Sequence, residues 1–214
     1  MDTNIPSCLM LAAELSTPVS LSSIFDPGDL KDTGIEFFSH ITILFSHTYL
    51  DKDNILNDIR SIQELRDREF SIEQYLSSQR ELNPKPVFDL FDLSSFSNDS
   101  DYVVLRLKED NGLYDILNII NSGLSKKYDI QSDFGTYKPH LSLAELQPGI
   151  SGKYLESKTL HDVLRDSVVK FEDLVFSYDF GESGFKQYDL TQFNNVDRYF
   201  RIAREKRIAK ELEE

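Results

Sequence analysis

His40-Ile41-Thr42-Ile43 and His140-Leu141-Ser142-Leu143 repeat one pattern (histidine, aliphatic, hydroxyl, aliphatic) 100 residues apart in a chain of 214. Side chains alternate between the faces of a strand, so each motif offers an imidazole and a hydroxyl on one face and two aliphatic groups on the other. If the two polar faces share a cleft, they can attack a phosphodiester without a metal. A neutral imidazole takes a proton from water or a ribose hydroxyl, and the second imidazole, as its cation, gives one to the departing oxygen. Thr42 and Ser142 would hydrogen-bond the non-bridging oxygens and hold the phosphorus in line. The pattern leaves open which histidine is base and which is acid. Either motif alone reads best as an edge histidine satisfied by backbone; the matched pair is what makes the signal specific.

The surrounding elements must position these groups. The β-branched and aromatic run from Phe37 to Phe45 contains the first motif and reads as a strand, and Pro139 introduces a second strand from His140 to Leu146. Ser7 to Leu15 is a nearly continuous apolar run, read as a buried strand. Ser20 to Gly34 reads as a loop with one short helix. Ile55, Leu56, Ile59, Ile62 and Leu65 recur at helical steps behind Asp51 and Asp53, with an edge running toward Leu76. Val87 to Phe96 and Tyr102 to Leu107 read as strands, and the turn at Asn111-Gly112 opens a helix bearing Leu113, Ile116, Leu117, Ile120 and Leu124. Gln147 to Gly152 reads as a loop and Leu160 to Val169 as a short helix. Strands at Phe171–Tyr178 and Phe185–Leu190 flank a Gly181-Glu182-Ser183-Gly184 hairpin. A charged segment at 194–214, with six basic and five acidic residues, reads as a terminal helix, docked, solvated or partner-binding.

Composition narrows the partners. With 23 Lys+Arg against 37 Asp+Glu the formal charge is −14, which repels long polyanions but tolerates a small nucleotide in a cleft of its own local sign. A long duplex is disfavoured as a partner. Cys8 is the one cysteine, which excludes an internal disulfide and a cysteine-based zinc site. The longest apolar run, Cys8 to Ala13, is too short to cross a bilayer and has no basic stretch before it. The expectation is a protein of the reducing cytoplasm that makes no membrane contact. Acidic pairs such as Asp51/Asp53 and Glu109-Asp110 read as helix-start and turn residues, so neither metal nor cofactor is expected.

The paired motifs resemble the signature of the 2H phosphoesterase superfamily, which includes 2′-5′ RNA ligase-like proteins and cyclic phosphodiesterases. Gly34-Ile35-Glu36 before the first motif and His47 after it are similar to a branch found in phages and prophages. So are Tyr137-Lys138-Pro139-His140 through Gln147-Pro148-Gly149, and Gly152-Lys153-Tyr154. The resemblance spans roughly Ser7 to Leu190. Ser39 stands where a proline commonly precedes the first histidine, and Ser142 replaces the more frequent threonine; a hydroxyl is kept. The resemblance implies a bilobal α+β domain over residues 1–193, with two pseudo-symmetric antiparallel-rich sheets facing a central cleft and helices outside. It implies an enzyme acting on cyclic oligonucleotides, 2′-5′ linkages or 2′,3′-cyclic phosphates. Some phage members destroy the cyclic oligonucleotide signals of bacterial immunity.

Four further side chains are candidates for substrate contact. Tyr137 could stack a base or cover the core. Lys138 and Lys153 could neutralise phosphate or sit solvated on the surface, and Tyr154 could reach the same region. His47 reads as a rim or solvated residue and His161 as structural or exposed. Two other functions use the same fold: a nucleotide-sequestering module without turnover, and a virion or assembly protein whose 194–214 segment drives oligomerisation.

Overall fold

The apolar run at the start of the chain becomes β1, Ser7–Ser16. Leu9, Leu11 and Ala13 enter the main core while Met10 and Ala12, also buried, point to the other face. A strand buried on both sides needs an unbroken apolar sequence, which is what this segment has. The computed structural model describes residues 6–35, 39–67, 84–131, 136–179 and 186–190. The helix edge toward Leu76, the turn at Gly181–Gly184 and the 194–214 segment lie outside the described residues.

The further strands are β2 (Leu30–Ile35), β3 (His40–Ser46), β4 (Lys85–Pro86), β5 (Phe91–Ser97), β6 (Asp101–Leu107), β7 (His140–Leu146), β8 (Val168–Asp179) and β9 (Lys186–Leu190). They join in one antiparallel sheet of order β4-β8-β1-β3-β7-β6-β5, with β2 also on β7 and β9 on β8. The expectation of two separate facing sheets is thereby corrected. Two ladders, β4-β8-β1-β3 and β7-β6-β5, meet at the pair Ile41↔Leu141. The seam is short because an edge pairs with one neighbour at a time. Further along, the same edge of β7 is taken by β2, through Ile35↔Ala144 and Leu30↔Leu146. Gly34, at φ 62°, gives β2 the left-handed residue that shifts its register between those pairs. A loop was expected there.

The helices contribute to a single core cluster with one face of the sheet. Helix α1 (Lys52–Ser61) starts where the Asp51 carboxylate accepts from the Asn54 N–H at 2.9 Å, and buries Ile55, Leu56 and Ile59. The expected continuous helix breaks at Ile62, which is extended, before α2 (Gln63–Asp67) resumes. The break brings Ile62 against Gly123, where a Cβ would lie 3.1 Å from Ile62 Cδ1. A helical turn, α3 (Val87–Leu90), replaces the first half of the strand expected from Val87; its Val87 N–H donates to the Ser167 carbonyl.

Helix α4 (Gly112–Tyr128) is capped by Asn111 and buries Leu113, Ile116, Leu117, Ile120 and Leu124, the stripe read from the sequence. Burying each such side chain is worth about 1.5–3 kcal/mol. Asp58 of α1 accepts from Lys127 and from the Tyr128 hydroxyl, tying α1 to α4. Helices α5 (Ser151–Leu155) and α6 (Lys158–Arg165) complete the layer. The first begins in the last two residues of an expected loop, and the second stops short of Val169 because β8 begins at Val168. No helix of the described residues is long and apolar enough to cross a membrane.

Candidate active site

The geometry of the two motifs follows from a single backbone register. Ile41 and Leu141 are direct antiparallel partners, both fully buried in the core. Their sequence neighbours His40, Thr42, His140 and Ser142 are all half-buried on the opposite face, away from the helices. Extending the register one residue each way sets Thr42 against His140 and His40 against Ser142. The two histidines then occupy diagonal positions of the quartet, an arrangement that can set imidazoles on either side of one phosphate.

Next to this quartet, β1 sets Ala12 beside His40 and Met10 beside Thr42. On the other flank β6 sets Arg106 beside His140 and Val104 beside Ser142. The floor is thus small or apolar around His40, while a cation and an aromatic ring border His140. The ring is Phe96 of β5, packed edge-on to the imidazole with centroids 4.7 Å apart.

His140 is oriented by backbone. Its Nδ1 lies 2.7 Å from the Lys138 carbonyl oxygen. A carbonyl can only accept, so Nδ1 carries the hydrogen and the neutral ring keeps its lone pair on Nε2. Burial pushes the His140 pKa below its ordinary 6.5, the Lys138 carbonyl partly opposes this, and the charge of His40 lowers it further. Thr42 Oγ1 has one long contact, 4.0 Å from Cys8 Sγ, and Ser142 Oγ has no hydrogen-bond partner among the described residues. Both hydroxyls are available to a ligand.

The four secondary candidates divide differently. Tyr137 packs against the core and its hydroxyl donates to the Thr42 carbonyl at 2.9 Å; burial pushes its phenol well up. It clamps β7's lead-in to the first motif, next to a seam with one residue pair. A second clamp comes from α4, where Asn121 Nδ2 donates to the Ile43 carbonyl at 2.8 Å. Lys138 is exposed and reaches the site through its carbonyl.

Lys153 and Tyr154 belong to another cluster. Lys153 Nζ donates to Asp29 Oδ2 at 2.6 Å, and the Tyr154 hydroxyl donates to the same oxygen at 2.8 Å. That hydroxyl also accepts from the Asp26 N–H at 2.8 Å, and the ring packs on Phe25. Lys153 first, then Tyr154, holds the Asp29 carboxyl below its usual range. The Asp29 carbonyl accepts from Gln147 N–H just beyond β7's far end. The rise from His140 to Leu146 along a strand is about 20 Å. The structure does not bring Lys153 and Tyr154 to the histidines, which corrects their expected place at the phosphate.

His47 lies edge-on to Phe45 past the end of β3, and His161 bonds the Leu155 carbonyl at 2.7 Å and stacks on Phe88, the structural role of the two expected of it. A cavity of about 360 Å³ between α4 and Tyr137, lined by Asp115, Asn118, Asn121 and Ser122, opens on the helix side of the sheet. It is separate from the histidine face. No group of three or more His, Cys, Asp or Glu among the described residues is spaced to hold a metal ion.

Phe96 and Arg106 were missed in the sequence. Alternation in Tyr102-Val103-Val104-Leu105-Arg106-Leu107 does place Arg106 on a face opposite the core. What it cannot give is the long-range register that sets that face beside His140.

No family model matches the chain, and no curated protein matches it. Among solved structures the chain is similar to E. coli LigT in apo form, at 13% identity and a TM-score of 0.42, over 87% of this chain and 95% of that one. It is also similar to E. coli LigT complexed with 3′-AMP, at 14% identity and a TM-score of 0.40, over 87% and 96%. Both likenesses are distant, and the chemistry of the site follows from its own geometry.

Proposed function

We propose that this protein is a metal-independent phosphodiesterase for small nucleotides, with His140 as general base and His40 as general acid. The observation that carries the reading is the Ile41↔Leu141 register, with two imidazoles and two hydroxyls half-buried on one face beside it.

His140 suits the base. Its Nδ1–H is engaged by the Lys138 carbonyl, so Nε2 holds the lone pair, and its lowered pKa keeps it neutral near pH 7. Nε2 takes a proton from water or from a ribose hydroxyl as that oxygen bonds to phosphorus. The opposite P–O bond breaks, and the departing oxygen receives the proton of the His40 imidazolium. Thr42 Oγ1 and Ser142 Oγ donate to the non-bridging oxygens, where charge builds. One proton enters at His140 and one leaves at His40, and exchange with solvent resets the pair. With water as nucleophile the products are a phosphomonoester and an alcohol.

The substrate class is a cyclic oligonucleotide, a 2′-5′ linkage or a 2′,3′-cyclic phosphate. Support for a small nucleotide over a long RNA comes from the charge of −14. Destruction of a bacterial immune signal by a phage protein is one setting for such chemistry, and it rests on the sequence resemblance. The test is incubation with cyclic mono-, di- and trinucleotides, 2′-5′ oligoadenylate and 2′,3′-cyclic nucleotides in EDTA, with products read by mass. The reading expects conversion of at least one compound. Binding without conversion across the whole panel would instead support the sequestering module.

A further inference from the structure

Arg106 is a direct cross-strand partner of His140, and direct partners project to the same face with Cβ atoms about 4.5–5.5 Å apart. Its side chain is 34% exposed. A protein of charge −14 that holds a phosphate needs a cation at that point, because the surrounding field repels the ligand. Lys170, on β8, is a further cation of the long strands. It sits across from Glu14, further along β1 than the Ala12 that adjoins His40. Arg106 is the cation that the sheet's register sets directly across from His140.

Its present partners are weak competitors. Glu109 Oε1 lies 3.5 Å from Arg106 Nη2 and is 69% exposed, and such a solvated pair contributes little. Asp92, its cross-strand neighbour on β5, is exposed and forms no ion pair with it. A guanidinium fork matches two phosphate oxygens at once, and a phosphate oxyanion outcompetes one exposed carboxylate at that distance.

Resting on the phosphodiesterase reading above, we infer that Arg106 is the phosphate-binding residue of this site, engaging the anionic oxygens of the substrate on the His140 side. Phe96, on the same face, closes that side with an aromatic surface. The site is thus asymmetric: the charged part of the substrate docks toward β5 and β6, and the uncharged part toward Ala12 and Met10.

The test measures binding of 3′-AMP, adenosine and inorganic phosphate to wild type, Arg106→Ala, Arg106→Lys and Glu109→Gln, with turnover of the best panel substrate alongside. Loss of a charge-assisted hydrogen bond predicts 3′-AMP affinity reduced by about 10- to 100-fold in Arg106→Ala. Partial recovery is expected in Arg106→Lys, which restores charge but not the fork, with KM following affinity. Glu109→Gln should bind phosphate as well as wild type or better, and adenosine affinity should be equal in all four proteins. Equal 3′-AMP affinity in wild type and Arg106→Ala, in a wild type that turns over substrate, overturns the role of Arg106 and leaves the two-histidine reading intact. A wild type that neither binds 3′-AMP nor converts any compound overturns both.

Discussion

The two ends of β7 carry similar residue types and opposite circumstances. At the Leu146 end, Lys153, Tyr154, Asp29 and Asp26 spend their hydrogen bonds on one another, and the Asp101 carboxylate accepts from the Ser151 N–H at 2.8 Å. At the His140 end, the Ser142 hydroxyl and His140 Nε2 have no partner among the described residues, although both are half-buried. Buried polar groups cost free energy unless paired, so a fold keeps them unpaired only where something else supplies the partner. Residue type alone does not distinguish structure from function; how completely the polar atoms are satisfied does.

The largest way to break this contrast is to remove a histidine. His40→Ala and His140→Ala should each lower turnover by about 10²- to 10⁴-fold in EDTA while the protein stays folded and still binds nucleotide. Turnover assays, with circular dichroism as the folding control, check this. Intact turnover in either variant would make the His140 end as structural as the other.

Tyr137→Phe tests the clamp rather than the chemistry. Leaving the Thr42 carbonyl without its donor should cost about 1–3 kcal/mol in denaturant unfolding and lower kcat more than it raises KM. An unfolding free energy and kcat equal to wild type would show that the hydroxyl clamps nothing.

Asp101 tests the satisfied end. Burial alone would raise its pKa, yet donation from the Ser151 N–H and hydroxyl, from Ser97 and from the Gly149 N–H lowers it from 3.8 to about 2. The folded value is below the unfolded one, so the contribution, about 2 kcal/mol, is present above pH 3.8 and lost as pH falls through 2. Acid titration of stability should show that loss in wild type and not in Asp101→Asn. The smallest expected effect is at Lys153: Lys153→Ala should leave kcat and KM unchanged, since its partner is Asp29. A raised KM in steady-state assays would return it to the phosphate.

Much of this was legible before the structure. The motif strands, the β6 strand and the stripe of α4 all follow from periodicity, because each buries one regular face. Local patterns failed where a long-range contact decided the outcome. Strand β2 is held by β7 despite its Asp and Gly residues, α1 breaks so that Ile62 can meet Gly123, and α3 is anchored by Ser167. The same limit explains the site. His40, Thr42, His140 and Ser142 announce themselves by repetition, whereas Arg106 and Phe96 acquire meaning only from strand register.

The central claim is that the two imidazoles share one face closely enough for each to sense the other's charge. NMR titration of His140 in wild type and in His40→Ala tests it directly. In wild type the burial of His140 and the charge of His40 should hold its pKa below 6.5, with the acid limb of kcat/KM following it. In His40→Ala the repulsion is gone, so the pKa of His140 should rise while staying below 6.5 because burial remains. An unchanged His140 titration would contradict the account, placing the two rings too far apart to work on one phosphate.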